Sequence, residues 1–133
     1  MSDDTPPALE SDLVRGFVGN AHGDLDAVRS SLTARPALVN AAWDWGGGDW
    51  ETALGAAAHM GRRDIAELLI THGARLDVFA AAMLGEVEIV RAVLAAQPET
   101  RHALGPHGIP LQAHAQAGGE QAHAVFELLE AAA

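Results

Sequence analysis

Histidines and carboxylates carry the chemistry that is available to this chain. The 133 residues include seven histidines and 18 acidic residues, no cysteine and no tyrosine, and every basic residue is an arginine. The lack of cysteine excludes disulfides, thiolate metal sites and cysteine nucleophiles. The lack of lysine and tyrosine excludes Schiff-base lysines and tyrosine acids. Any catalysis or specific binding must therefore use imidazole, carboxylate, hydroxyl or guanidinium groups.

The segment 40–52 has the least ordinary composition in the chain. It contains three tryptophans and three acidic residues around three consecutive glycines: Trp43, Asp44, Trp45, Asp49, Trp50 and Glu51. A hairpin turn explains the glycines, because they adopt backbone angles that other residues avoid. It does not explain the indoles, which must pack on the protein or contact a partner. We therefore predict a Trp-rich finger over residues 43–51.

Charge and hydropathy exclude two classes of partner. The net charge of −10 argues against nucleic acid, whose binding depends on basic side chains. No apolar run approaches the roughly 20 residues that a membrane-spanning helix needs. The first residues are acidic and include two prolines, unlike a secretory signal. We expect a cytoplasmic protein with no nucleic-acid or membrane partner and a flexible tail over residues 1–10.

The elements that would position these groups are best seen in the segment 52–77. An alanine-rich helix ends at Gly61, and a second helix carries apolar side chains and closes at Gly73. The segment resembles the ankyrin repeat, in which a Thr-Pro-Leu-His start, a Gly between two helices and a closing Gly-Ala recur. Ala53 and Gly55 stand where that family has Pro and His. The matching positions are Thr52, Leu54, Ala57, Ala58, Gly61, Ile65, Leu68, Leu69, Gly73 and Ala74.

This resemblance implies an all-α, ankyrin-like solenoid of about four helix-turn-helix repeats with irregular hairpin loops. The glycines between paired helices fall at 23, 61, 85 and 118, which gives separations of 38, 24 and 33 residues. The family period is about 33. We predict one domain over residues 1–133, with repeats near 11–40, 41–75, 76–104 and 105–133. The connection between the first two repeats is therefore longer than in the family, and the connection between the second and third is shorter. The long connection could reach over the opening that the short one leaves.

The alignment of repeats places four residues in two neighbouring columns. His22 shares one column with Met60, and His59 shares the next with Met83. The resemblance implies that both columns line a concave binding groove. Because neighbouring helices pack some 8 to 10 Å apart, His22 and His59 could contact one small molecule.

The other histidines differ in their expected surroundings. His107 falls in the last hairpin, and His114 replaces an alanine, so its imidazole must face the groove or form an internal hydrogen bond. We set aside His72, His102 and His123 as ordinary surface positions. No His-x-x-x-His pair occurs and the histidines come from different repeats, so we assign no metal and no cofactor.

Three functions remain open. The first is an ankyrin-type binding module for a protein or peptide. Its contacts would be Trp43, Asp44, Trp45, Trp50, His22, Met60, Met83 and His107. The second is a small-molecule binding protein or a non-metal acid/base enzyme with a pocket in the groove. Its catalytic residues would be His59, His114, Glu51 and Asp49, with burial beside indoles raising the pKa of a carboxylate. The third is a metal-binding protein.

One distance is also predicted. Glu51 precedes the helix that His59 ends, and a straight helix would separate the two by roughly 12 Å at 1.5 Å per residue. We therefore expect no direct contact between them, and partners for each from other repeats.

Overall fold

The computed structural model describes residues 4–131, and its regular structure there is eight α-helices and one short hairpin. The helices are α1 (Ser11–Asn20), α2 (Leu25–Ala34), α3 (Ala53–His59), α4 (Arg63–Thr71), α5 (Val78–Leu84), α6 (Val87–Ala96), α7 (Leu111–Ala117) and α8 (His123–Ala131). The strands are β1 (Ala42–Asp44) and β2 (Trp50–Thr52). Short 3-10 turns cover Pro36–Asn40, Pro98–His102, Pro106–Gly108 and Gly119–Ala122. The expectation of a mainly helical protein is confirmed.

The odd-numbered helices form the centre of the molecule. α3 packs between α1 and α5, and α5 packs between α3 and α7, while each of these helices also contacts the even-numbered helix that follows it. Residues 53–58 of α3 and 80–83 of α5 are all buried, and most are alanine. Small side chains let helices approach closely, which brings the ends of successive odd-numbered helices together.

Glycines between paired helices meet the neighbouring backbone. A Cβ on Gly61 would lie 2.6 Å from the carbonyl oxygen of Ala117, and one on Gly118 would collide with the carbonyl of Met83. Gly61 also has φ +66°, which other residues rarely adopt. These positions accept no side chain because helix pairs press together there.

The segment between α2 and α3 includes the β1–β2 hairpin. Trp43 pairs with Glu51 across the two strands. The turn contains Gly46, Gly47 and Gly48, all with positive φ, and the Asp44 carboxylate accepts hydrogen bonds from the Gly46 and Gly48 amides. The turn chemistry therefore accounts for both the glycines and Asp44.

Two contacts fix the position of this hairpin. The Trp45 ring reaches α1, where its Cη2 atom is 3.8 Å from the point that a Cβ on Gly19 would occupy. Next to β2 of the hairpin, Asp49 Oδ1 accepts a hydrogen bond of 2.7 Å from the His107 amide. The hairpin thus reaches the loop before α7.

The chain before α1 is irregular as far as it is described. Residues 4–10 form no helix or strand, and Leu9 packs against the core. Residues 1–3 of the predicted tail and residues 132–133 of the predicted last repeat lie outside the described residues. Within 4–131, no helix has the length and apolar character needed to cross a membrane.

Candidate metal centre

Three imidazoles converge on one buried carboxylate. Glu51 comes from β2, His22 follows α1, His59 ends α3, and His107 lies in the 3-10 turn before α7. The Nε2 atoms of His22 and His107 are 3.1 and 3.3 Å from Glu51 Oε1. The Nε2 atom of His59 is 3.0 Å from Glu51 Oε2. One potential ligand atom from each of the four residues lies within 4.8 Å of the other three.

The contact between Glu51 and His59 corrects the prediction that they would lie about 12 Å apart. Glu51 is in a strand, not in α3, and Thr52 caps the helix by accepting from the Gly55 amide at 3.0 Å. The Glu51 side chain lies along the first turn, where its Cγ packs on Gly55. The Cα–Cβ bonds of a helix tilt toward its N-terminus, so the His59 ring extends back toward the carboxylate. Two long side chains therefore span the length of a seven-residue helix.

Hydrogen bonds fix the tautomer of two of the imidazoles. His22 Nδ1 lies 3.0 Å from the Gly19 carbonyl oxygen, and His107 Nδ1 lies 2.8 Å from Asp49 Oδ2. Both oxygens can only accept, so each Nδ1 carries a hydrogen and donates. In a neutral imidazole the lone pair is then on Nε2, which is the atom that faces Glu51.

The carboxylate of Glu51 is fully buried and has one uncharged donor. The indole Nε1–H of Trp45 donates to Oε1 at 2.9 Å. Oε2 and His59 Nε2 are close, but their orientation is not that of a hydrogen bond, so neither buried atom has a well-directed partner within residues 4–131. A buried polar atom without a partner is costly, and a proton or a cation among these groups would remove that cost.

The pKa of Glu51 corrects a second expectation, that burial beside indoles would raise a carboxylate pKa. Burial does raise it, but the His59 and Trp45 contacts and the nearby charges of His22 and His107 outweigh burial and lower the pKa below its ordinary value. The pKa of Asp49 is also lowered, chiefly by the hydrogen bond from the His107 amide. Both groups are anions near neutral pH, which suits cation binding and not general acid catalysis.

His107 has an unusual backbone. Its φ of 62° and ψ of 18° are in the left-handed region, which costs a non-glycine residue of the order of 1–2 kcal/mol. Asp49 accepts hydrogen bonds from both its amide and its ring. The two bonds hold the imidazole toward Glu51 in a conformation that its residue type disfavours.

His114 is outside the cluster. It is fully buried, its Nδ1 donates to the Pro110 carbonyl at 2.9 Å, and its ring packs against Phe79 with centroids 4.9 Å apart. Of the two predicted alternatives, it therefore takes the internal hydrogen bond. Burial is the largest influence on its pKa, which is lowered.

The remaining predicted contact residues separate into different environments. Met83 is fully buried in the core, so it does not line a groove, because α3 and α5 pack too closely to expose it. Met60 is exposed, and Trp50 is the most exposed of the tryptophans. Trp43 is partly buried against the core. A groove of about 250 Å³ beside the hairpin is lined by Leu9, Ser11, Val14, Ala42, Trp43, Asp44 and Trp50.

Two of the three ring separations are those of imidazoles bound to one ion, and the third is wider. Their centroids are 5.0 Å apart for His22 and His59, 5.3 Å for His59 and His107, and 6.0 Å for His22 and His107. Three imidazoles bound through Nε2 to a tetrahedral ion at about 2.0–2.1 Å would hold their centroids roughly 5 Å apart. Small side-chain movements would bring these rings onto one ion.

Comparison with family models, with curated proteins and with solved structures found no match to this chain. The functional interpretation therefore depends on the geometry of the cluster.

Proposed function

We propose that this protein binds one divalent transition-metal ion through His22, Glu51, His59 and His107. The observation that carries the proposal is the convergence of three imidazole Nε2 atoms on a buried carboxylate, at 3.0 to 3.3 Å. The Nδ1 atoms of His22 and His107 donate to a carbonyl and a carboxylate, as the outer nitrogens of metal-bound histidines usually do.

Charge balance favours an ion over protons alone. Glu51 and Asp49 contribute −2, and protonating all three imidazoles would place +3 among rings that lie 5.0 to 6.0 Å apart. Two protons would balance the charge but leave His59 and Glu51 Oε2 without a well-directed hydrogen bond. A divalent ion among three neutral imidazoles contributes +2 against the −2 of the two carboxylates. All four groups that face inward would then bind the ion.

The donor set selects a class of ion. Three imidazole nitrogens and one carboxylate oxygen suit Zn²⁺, Fe²⁺, Co²⁺, Ni²⁺ or Cu²⁺, whereas Mg²⁺ and Ca²⁺ prefer oxygen ligands. The chain has no cysteine to favour softer ions. The donor set thus favours first-row transition-metal ions of borderline softness.

The scaffold that we propose for this site is an ankyrin-like stack. Its support is the succession of contacts α1–α3–α5–α7, with buried glycines between paired helices. In such a stack the first helices of adjacent repeats end side by side, which is how His22 and His59 come together.

Elemental analysis of untagged protein tests the metal proposal. After removal of metal with a chelator and reconstitution with Zn²⁺, we expect one ion per chain that survives gel filtration. His59→Gln should reduce this occupancy strongly, while the matched variant His72→Gln should not, because His72 is exposed and bonds only the Leu68 carbonyl. Equal zinc content in the two variants, or none in the unmodified protein, would refute the proposal.

A second candidate function, binding of a protein or peptide, is favoured by a separate observation. Trp50 is 61% exposed at the edge of the groove that Leu9, Val14 and Trp43 line. Large exposed aromatics are frequent anchors of interfaces. Crosslinking in a cell extract should then recover a partner that Trp50→Ala loses and His72→Gln keeps; recovery that is the same with both variants would count against this function.

A further inference from the structure

The four ligands differ in their access to solvent. The side chains of Glu51 and His59 are 0% and 9% exposed, whereas those of His22 and His107 are 25% and 32% exposed. An ion held among them would be enclosed by protein on the side of α3 and the hairpin. Its other side would face the solvent between His22 and His107.

The spacing of the rings points to the same side. His59 lies 5.0 and 5.3 Å from the other two rings, but His22 and His107 are 6.0 Å apart. A tetrahedral site would hold each pair roughly 5 Å apart. On an ion bound by all three rings, the widest ligand–ion–ligand angle would therefore be the one between His22 and His107, the two exposed ligands.

Trp45 borders this wide angle. Its ring centroid is 6.2 Å from the centroids of both His22 and His107, and its indole N–H is already used by Glu51. The indole therefore borders the cluster with an apolar ring that has no free donor. Both Asp49 oxygens accept from His107, and the ring contact is at Nδ1, on the side of the imidazole opposite to the Nε2 atom that faces Glu51.

Building on the proposed metal function, we propose that the bound ion, held by its four protein ligands, keeps a fifth, exchangeable coordination position between His22 and His107. Water occupies this position, and a small anion such as a carboxylate displaces it. Within the coordination shell a divalent ion with neutral imidazoles and one glutamate ligand retains +1, because Asp49, which balances this charge, lies outside the shell at His107 Nδ1. A position of this kind distinguishes ligand-binding and catalytic centres from closed structural ones.

Cobalt substitution tests this inference. Untagged full-length protein is loaded with Co²⁺, and its visible absorption is followed during titration with sodium azide and, separately, with sodium acetate. We expect the cobalt bands to shift with a saturable one-site dependence on azide, and acetate to weaken the apparent azide affinity several-fold by competition. His72→Gln is the matched control and should give the same titration.

Two failures are distinguishable in this experiment. Cobalt bands that azide and acetate leave unchanged would overturn the exchangeable position while leaving the metal function standing. The absence of cobalt bands in the unmodified protein, or their persistence in His59→Gln, would overturn the proposed metal function and this inference with it.

Discussion

At the scale of single residues, Asp49 connects the hairpin to the candidate ligand His107. It accepts from the His107 ring at 2.8 Å and from the His107 amide at 2.7 Å. We predict that Asp49→Asn lowers Zn²⁺ affinity about 10- to 100-fold, the range usual for partners of metal-bound histidines. The reason is that a neutral amide orients the imidazole less firmly and makes Nε2 less basic. Competition with a coloured chelator measures the change.

A control for this prediction lies in the same hairpin. Asp44→Asn keeps an oxygen that can accept from the Gly46 and Gly48 amides, so the turn should form and zinc affinity should stay near that of the unmodified protein. If both variants lose the same affinity, Asp49 acts only through the fold of the hairpin.

His114 predicts a pH dependence of stability in the metal-free protein. Burial lowers its pKa below 6.5; the hydrogen bond to the Pro110 carbonyl acts against this, His59 acts with it, and Asp77 and Glu51 act against it. The unfolded chain therefore binds this proton at a higher pH than the folded chain does. The free energy of unfolding is therefore unaffected by protonation of His114 above about pH 6.5. It falls as the pH drops from there toward the pKa of His114 in the folded chain, by at most about 1.4 kcal/mol per pH unit.

The variant His114→Gln isolates that effect, because glutamine can still donate to the Pro110 carbonyl but does not titrate in this range. Urea unfolding in the presence of a chelator, between pH 7 and 5, should give a free energy of unfolding that falls more steeply in the unmodified protein. Parallel pH dependences would show that His114 is protonated equally in the folded and unfolded chains.

At the scale of elements, the close approach of helix pairs predicts opposite effects for two glycine substitutions. A Cβ at Gly118 would collide with the Met83 carbonyl, whereas one at Gly16, in α1, meets nothing within 4 Å. Gly118→Ala should destabilise by about 1–3 kcal/mol, because the backbone of α5 must move. Gly16→Ala should stabilise by about 0.5–1 kcal/mol, because alanine favours the helix. Chemical denaturation measures both, and two changes of the same sign would contradict the packing.

How far the sequence predicts the site depends on the element that carries each residue. The repeat alignment brings His22 next to His59, and their rings are 5.0 Å apart because His22 follows α1, His59 ends α3, and these two helices contact each other. The sequence also selects Asp49 and Glu51, through the composition of the Trp-rich finger, and His107, through its place in the last hairpin. It does not predict that Glu51 reaches His59, since that depends on a strand running directly into α3.

Two further features had no signal in the sequence. The left-handed backbone of His107 is unexpected for its residue type, and depends on Asp49, 58 residues earlier. The Gly19 carbonyl that orients His22 is a backbone group, which residue types do not reveal.

The alignment places Met83 in the groove by its column, whereas the packing of α5 against α3 and α7 buries it.

At the scale of the whole molecule, a metal ion would join elements that are distant in the chain. The four ligands extend from residue 22 to residue 107 and come from four different elements. An ion that binds only the folded chain stabilises it by about 2.7 kcal/mol when its free concentration is 100 times Kd. We predict that Zn²⁺ raises the Tm of metal-free protein by several degrees. Differential scanning calorimetry with and without Zn²⁺ measures this rise, and a chelator should reverse it.

His107→Gln provides the comparison for that experiment. It removes the ligand from the loop before α7 and should abolish most of the zinc-dependent rise, while His123→Gln, at an exposed position in α8, should keep it. A rise that persists in His107→Gln would mean that the ion binds elsewhere.

The most direct measurement is the anomalous scattering of zinc in crystals of the Zn²⁺-loaded protein, recorded at the zinc absorption edge. The account predicts one strong peak per chain, about 2.0–2.2 Å from Nε2 of His22, His59 and His107 and from the Glu51 carboxylate. A map with no peak among these four residues, or with its strongest peak at a different place, would contradict it.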